Sequence, residues 1–164
     1  MSDDATAITI RPAGAADLEL VIDRRLAFFC DMRGWTMDEM PAEFVSVNRA
    51  FIERTHGATF HSWLAELDGI CVGIVSAAIS DAPPRPEDLR HLDAYIVNMH
   101  VDREHRTRGV GRLLVNACMA GCEAMGVRRF SLFATDDGRP LYESVGFSDH
   151  FGWMNRYVSA DSSQ

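Results

Sequence analysis

The chain has 164 residues, 47% of them hydrophobic and 24% charged, which fits one domain over residues 1–164 with a sizeable core. A formal net charge of -8 gives no electrostatic reason to expect nucleic acid or an anionic membrane as a partner. The 16 Lys and Arg residues are all Arg, so a mechanism built on a lysine Schiff base or a lysine general base is excluded.

The opening MSDDATAITI is acidic and has no basic segment followed by an apolar run, so no signal peptide is expected. Residues 7–12 read as a short edge strand in which Ile8 and Ile10 alternate and Pro12 ends the run. A helix is expected from about Ala15–Asp17, with Leu18, Ile22, Leu26 and Phe29 at a spacing near four and Gly34 as its stop. A second helix spans about 40–55, opened by Pro41 and marked by Phe44, Val47 and Phe51. Residues 59–67 and 70–79 form a hairpin around the tight-turn pair Asp68-Gly69. The Pro-rich, charged stretch 80–93 reads as a surface loop. Residues 94–101 are almost wholly apolar, as in a central strand covered on both faces.

A helix is expected over 109–125, where Val110, Leu113, Leu114, Ala117, Cys118, Gly121, Cys122 and Met125 trace one apolar stripe, and Gly126 ends it. A short strand over 130–134 and a short helix over 138–145 follow. A last strand over 152–158 carries Trp153 and Tyr157, and 159–164 is a loose polar tail. The strand–helix–strand unit 94–134 predicts a right-handed crossover between parallel strands, while the hairpin is antiparallel. The sheet is therefore mixed, with helices on its faces. Cys30, Cys71, Cys118 and Cys122 form no CxxC and have no further ligands nearby, so they read as free thiols of a reducing compartment, and no metal is expected. No apolar run approaches the ~20 residues that span a bilayer, so a cytoplasmic protein is expected.

The chemistry concentrates between the strand at 94–101 and the helix that follows. Arg106-Thr107-Arg108-Gly109-Val110-Gly111-Arg112 opens that helix. The first amides of a helix lack internal acceptors and the dipole adds positive character, which suits an anion. Gly109 and Gly111 let an oxyanion approach the backbone, and Arg106, Arg108 and Arg112 add forked donors suited to phosphate. A pyrophosphate-type ligand is the physical inference. A P-loop needs a lysine, which is absent, and a dinucleotide fingerprint needs Gly or Ala where Leu114 stands.

The whole arrangement resembles the GNAT superfamily of N-acetyltransferases. The family's phosphate loop, Q/R-x-x-G-x-G/A, is matched in full by Arg106–Gly111. Tyr95–Val101 is similar to its core strand, and Gly138-Arg139-Pro140-Leu141-Tyr142-Glu143-Ser144-Val145-Gly146-Phe147 to its second hallmark. The resemblance implies an α/β (α+β) fold: a mixed, mostly antiparallel sheet with a parallel, splayed strand pair and helices on both faces. It implies an acyltransferase that uses acetyl-CoA as cosubstrate and a primary amine of a small molecule or peptide as acceptor, attacking directly in a ternary complex.

By position, it places the pantetheine arm along Met99, His100 and Val101. The pyrophosphate falls on the amides of Thr107, Arg108, Gly109, Val110, Gly111 and Arg112, in a loop whose first position is Arg106. Arg139 lies one helical turn before Tyr142 and within reach of the cofactor. Tyr142 aligns with the tyrosine that protonates the departing thiolate; a phenol near pKa ~10 is a competent donor to a thiolate near ~8.5. No Asp or Glu lies on 94–101, so the general base stays open among His100, Asn98, Asp93, Asp136 and a water chain. Thr135 stands where relatives often have asparagine, and the acceptor's identity stays open with it. The acceptor region is expected between the first two helices and the 80–93 stretch, lined by Phe28, Phe29 or Trp35. Relatives often dimerise, and nothing in the sequence marks a dimer surface. The alternatives are a catalytically silent acyl-CoA-binding or sensor domain on the same fold, and a different enzyme of a phosphate-bearing ligand.

Overall fold

The computed structural model describes residues 8–86 and 89–150. Five strands form one sheet in chain order: β1 (Thr9–Pro12), β2 (Phe60–Leu67), β3 (Ile70–Asp81), β4 (Leu92–Val101) and β5 (Arg129–Leu132). The first four pair antiparallel, and β4 pairs parallel with β5 through the crossover expected for 94–134. The helices are α1 (Leu18–Arg33), α2 (Ala42–Thr55), α3 (Val110–Ala124) and the short α4 (Arg139–Glu143). This is the mixed α+β arrangement that the sequence predicts.

The two faces of the sheet bury separate sets of side chains. On one face, Val110, Leu114, Cys118 and Cys122 of α3 pack against Trp63, Val75, Ala94 and Ile96. On the other, Val21, Ile22 and Leu26 of α1 and Ile52 of α2 pack against Phe60, Leu64 and Ile74. Strand side chains alternate between the faces, so β2 feeds both cores with consecutive residues, Trp63 to one and Leu64 to the other. Each fully buried Leu or Ile contributes about 1.5–3 kcal/mol by leaving water. Helix α3 lies so close to β2 that a Cβ built on Gly121 would overlap the Trp63 indole.

Element ends depart from the sequence reading for local reasons. Gly34 takes the left-handed conformation (φ 68°) that ends α1, as expected. Helix α2 starts at Ala42 because Pro41 sits at ψ 125°, outside the helical region. A one-turn 3-10 segment at Met37–Glu39 precedes it, with Glu39 accepting from the Thr36 amide at 2.7 Å. Strands β3 and β4 extend into the 80–93 stretch: Ser80 pairs with Asp93 and Asp81 with Leu92, and the Ala82 amide donates to the His91 carbonyl at 2.6 Å. The loop is shorter than expected because an antiparallel ladder continues as long as both chains stay extended. The expected strand at 152–158 lies outside the described residues.

Strand β4 carries the irregularity that shapes the site. Ile74 faces His100 across the ladder, but Ser76 faces Val97, so β4 holds one extra residue between them. Asn98 supplies it with φ 56°, a left-handed conformation that Asn tolerates better than most residues. A bulge of one residue exchanges the faces of every side chain beyond it. Met99 and Val101 accordingly join the α3 core, and His100 turns toward α1. The Asn98 amide nitrogen donates to the Ser76 hydroxyl at 3.4 Å, and the Ser76 and Ser62 hydroxyls share a 2.8 Å hydrogen bond.

Candidate functional site

The parallel pairing of β4 with β5 ends at Ile96 and Leu132, and β4 runs five residues further to Val101. The Asp102 amide donates to the Val72 carbonyl at 2.9 Å, so backbone groups at His100 and Asp102 point to β3. Those of Met99 and Val101 point the other way, into the gap where β5 no longer pairs. The strand thus offers an open edge that leads straight into the loop before α3.

That loop ends in six unpaired donors. A 3-10 turn at Arg103–His105 carries the chain off β4, and Thr107 (φ 61°) and Gly109 (φ 81°) then bend it in left-handed conformations. The first backbone hydrogen bond of the following helix runs from Leu113 to the Gly109 carbonyl. Among the described residues, the amides of Thr107, Arg108, Gly109, Val110, Gly111 and Arg112 have no acceptor. They stand at the positive end of a 15-residue helix. Gly111 packs closely: a Cβ there would lie 3.0 Å from the end of the Leu141 side chain and 3.1 Å from that of Met99. The packing thus gathers β4, the start of α3 and α4 around one point.

The arginines divide into two kinds. Arg106 was expected to offer a free fork to phosphate, and its guanidinium is instead engaged within the chain. Its Nε donates to the Val101 carbonyl at 2.8 Å and its Nη2 to Asp31 of α1. Asp31 also accepts from Arg103 at 3.2 Å, and these two guanidiniums, Arg106 foremost, lower its pKa. Arg108 and Arg112 have no ion-pair partner among the described residues and remain the loop's open cations. Arg139 donates to Asp149 at 2.8 Å and lies 3.8 Å from Glu143, so its charge is matched on its own side of α4.

His100 is 9% exposed and packs edge-on to Phe28 at 6.5 Å between ring centres. Its Nε2 lies 3.7 Å from Asp31, and its Nδ1 is buried without a hydrogen-bond partner among the described residues. Burial, aided by the Arg24 charge, lowers its pKa, which keeps the ring neutral at pH 7. Tyr142 sits in α4 and is half-buried, edge-on to Phe147 at 6.0 Å. Burial raises its pKa and keeps the phenol protonated, the state a proton donor needs. Thr135 holds the start of α4: its hydroxyl accepts from the Gly138 amide at 3.2 Å and its carbonyl from the Arg139 amide at 2.9 Å. Asp93 is at the far end of β4 from His100, paired with Arg129.

A cleft of about 490 Å³ opens between α1 and the end of β4. Trp35 and Met37 from the α1–α2 junction face His100, Arg103 and Arg106 across it. It lies at the opposite end of β4 from the 80–93 stretch, which does not border it. Sequence reasoning missed Asp31 and Arg24, which fix α1 to the joint: Arg24 Nη1 donates to both Asp102 oxygens at 3.0 and 3.1 Å. The two are seven apart, two turns along one helix face. No local motif marks them, because their partners lie 78 and 75 residues away.

The model of the acetyltransferase (GNAT) family matches residues 25–147. No protein of curated function matches the chain. Among solved structures, the fold is similar to a predicted acetyltransferase from Clostridium acetobutylicum solved with acetyl-CoA, with a TM-score of 0.79 and 20% identity over 92% of this chain and 96% of that one. A GCN5-related N-acetyltransferase from Ralstonia eutropha JMP134 gives 0.72 and 26% identity over 92% and 99%. An aminoglycoside acetyltransferase from an uncultured soil metagenomic sample, in complex with sisomicin, gives 0.73 and 16% over 97% and 99%.

Proposed function

The chain belongs to the acetyltransferase (GNAT) family, and on that premise we propose that it moves the acetyl group of acetyl-CoA to a primary amine of a small molecule or peptide. The observation that carries this reading is the open edge at Met99 and Val101 running into six unpaired amides at the start of α3. An edge strand binds a peptide-like chain, and pantetheine contains two amides. Helix-start amides bind pyrophosphate. The order of the two features along the chain matches the order of those groups along acetyl-CoA.

Each residue then has a stated task. Backbone groups of Met99 and Val101 pair with the pantetheine amides, with His100 packed behind them. The Met99 amide also polarises the thioester carbonyl, where negative charge develops during attack. The amides of Thr107, Arg108, Gly109, Val110, Gly111 and Arg112 hold the pyrophosphate, while the Arg108 and Arg112 side chains add charge. Arg106 serves the site by fixing the Val101 carbonyl. The amine nitrogen, once deprotonated, bonds to the carbonyl carbon, the C–S bond breaks, Tyr142 gives its proton to the leaving thiolate, and the second proton shed by the nitrogen restores the phenol. The cleft beside His100 gives the ammonium's surplus proton a route to water. Arg139, held by Asp149, borders the cosubstrate on the α4 side.

The site works as a ternary complex, with the amine entering on the α1 side of β4 near Trp35. The neighbour in complex with sisomicin makes polyamine antibiotics one class to test. No helix of the described residues is long and apolar enough to cross a membrane, and with its free thiols the chain suits the cytoplasm. Incubation with acetyl-CoA and a panel of amines, amino acids, aminoglycosides and peptides, read as released thiol, tests the activity. Amine-dependent thiol release is expected. CoA binding with no release for any amine would instead identify a silent acyl-CoA-binding domain.

A further inference from the structure

We propose that Asp31 of α1 is a positioning residue for the acetyl-CoA track, holding Arg106 so that the Val101 carbonyl and the loop beyond it are fixed before the cosubstrate arrives. This rests on the reading of the β4–α3 joint as an acetyl-CoA site. The open edge of β4 binds pantetheine only if its last carbonyl points in a defined direction, and Val101 is the final residue of the strand. The group that holds this carbonyl is Arg106 Nε, at 2.8 Å. A long side chain with that task needs an anchor at its far end, and Asp31 supplies it through Nη2.

Asp31 is well placed for the task. It is 29% exposed at its side chain and receives three basic groups from the joint: Arg103, Arg106 and, at 3.7 Å, His100. Arg24, two turns earlier on α1, holds Asp102, the residue that starts the turn out of β4. Two ion pairs of opposite polarity thus clamp the joint to α1. A carboxylate that accepts from two guanidiniums makes charge-assisted hydrogen bonds, which are shorter and more directional than neutral ones. Asp31 touches neither the open edge nor the unpaired amides. It acts through Arg106.

The assignment predicts a result opposite to simple electrostatics. Removing a negative charge near a pyrophosphate site should tighten binding if Arg106 were best used as a free phosphate ligand. If Arg106 instead positions the carbonyl, the same change weakens binding. Calorimetric titration of CoA into the full chain separates the two. Asp31→Ala is expected to weaken CoA by about tenfold, the equivalent of one charge-assisted hydrogen bond. Asp31→Glu keeps the carboxylate and should restore most of the affinity, which a merely structural defect at this position would not allow. Glu19→Gln, which breaks the exposed Arg49–Glu19 pair on the same helix, should leave CoA affinity unchanged. Unchanged or tighter binding by Asp31→Ala overturns the assignment, as does a loss that Asp31→Glu fails to restore. An unsubstituted chain that binds no CoA overturns the cosubstrate reading instead.

Discussion

Two side chains at the site are held in defined protonation states by burial. Tyr142 is kept as the phenol, so Tyr142→Phe removes the proposed acid and leaves the ring packing on Phe147 intact. Turnover should fall about 10²-fold, at the lower end of general acid catalysis, with CoA affinity nearly unchanged in a calorimetric titration. An equal loss of both would make the residue structural. His100 is kept neutral, its folded pKa lying below the ordinary 6.5. The unfolded chain therefore takes up this proton first as pH falls. The stability from the neutral ring is fully present above about 6.5 and is lost as pH falls through the folded value. His100→Gln should make the urea-unfolding free energy change less between pH 7.5 and pH 5.5 than in the unsubstituted chain. An equal change in the two proteins would show that His100 does not titrate in this way. Arg106 shows the limit of residue-level reading. Its type and position were legible as a basic group at a helix start, but its partner was not, because Asp31 lies in a helix 75 residues earlier.

At the scale of elements, strands and helices were legible wherever a breaker or a period marked them. Gly34 and Gly126 stand at helix ends with positive φ, and Asp68-Gly69 makes the β2–β3 turn. The bulge at Asn98 was not legible, since one Asn in an apolar strand looks like a polar interruption of a regular ladder. Its consequence is large, because it decides which face His100 takes. The contact between α3 and β2 was hidden for a similar reason: Gly121 lies within the apolar stripe of α3, and its need to be glycine comes from Trp63 across the interface. Gly121→Val should destabilise the fold by about 1–3 kcal/mol, since overpacking a rigid indole outweighs any gain in helix propensity. Chemical denaturation measures this directly. An unchanged midpoint would mean that α3 can move off β2 freely.

The described residues join two cores across one sheet, and the proposed acetyl-CoA site lies where they meet at the end of β4. One core supplies α3, whose start carries the unpaired amides, and the other supplies α1, whose Asp31 and Arg24 hold the joint in place. The family motifs made the first half visible in the sequence. The second half depends on contacts between distant segments and became visible only in the fold. A ligand that binds only the folded chain at this joint must stabilise the molecule as a whole. At a hundredfold excess over its dissociation constant, CoA adds about 2.7 kcal/mol, and a domain of this size gains about 2–4 °C per kcal/mol. The most direct test is thermal unfolding of the full chain with and without CoA. A rise of about 5–11 °C in the midpoint at that hundredfold excess is predicted, growing with the logarithm of CoA concentration, and no shift at millimolar CoA would contradict the account.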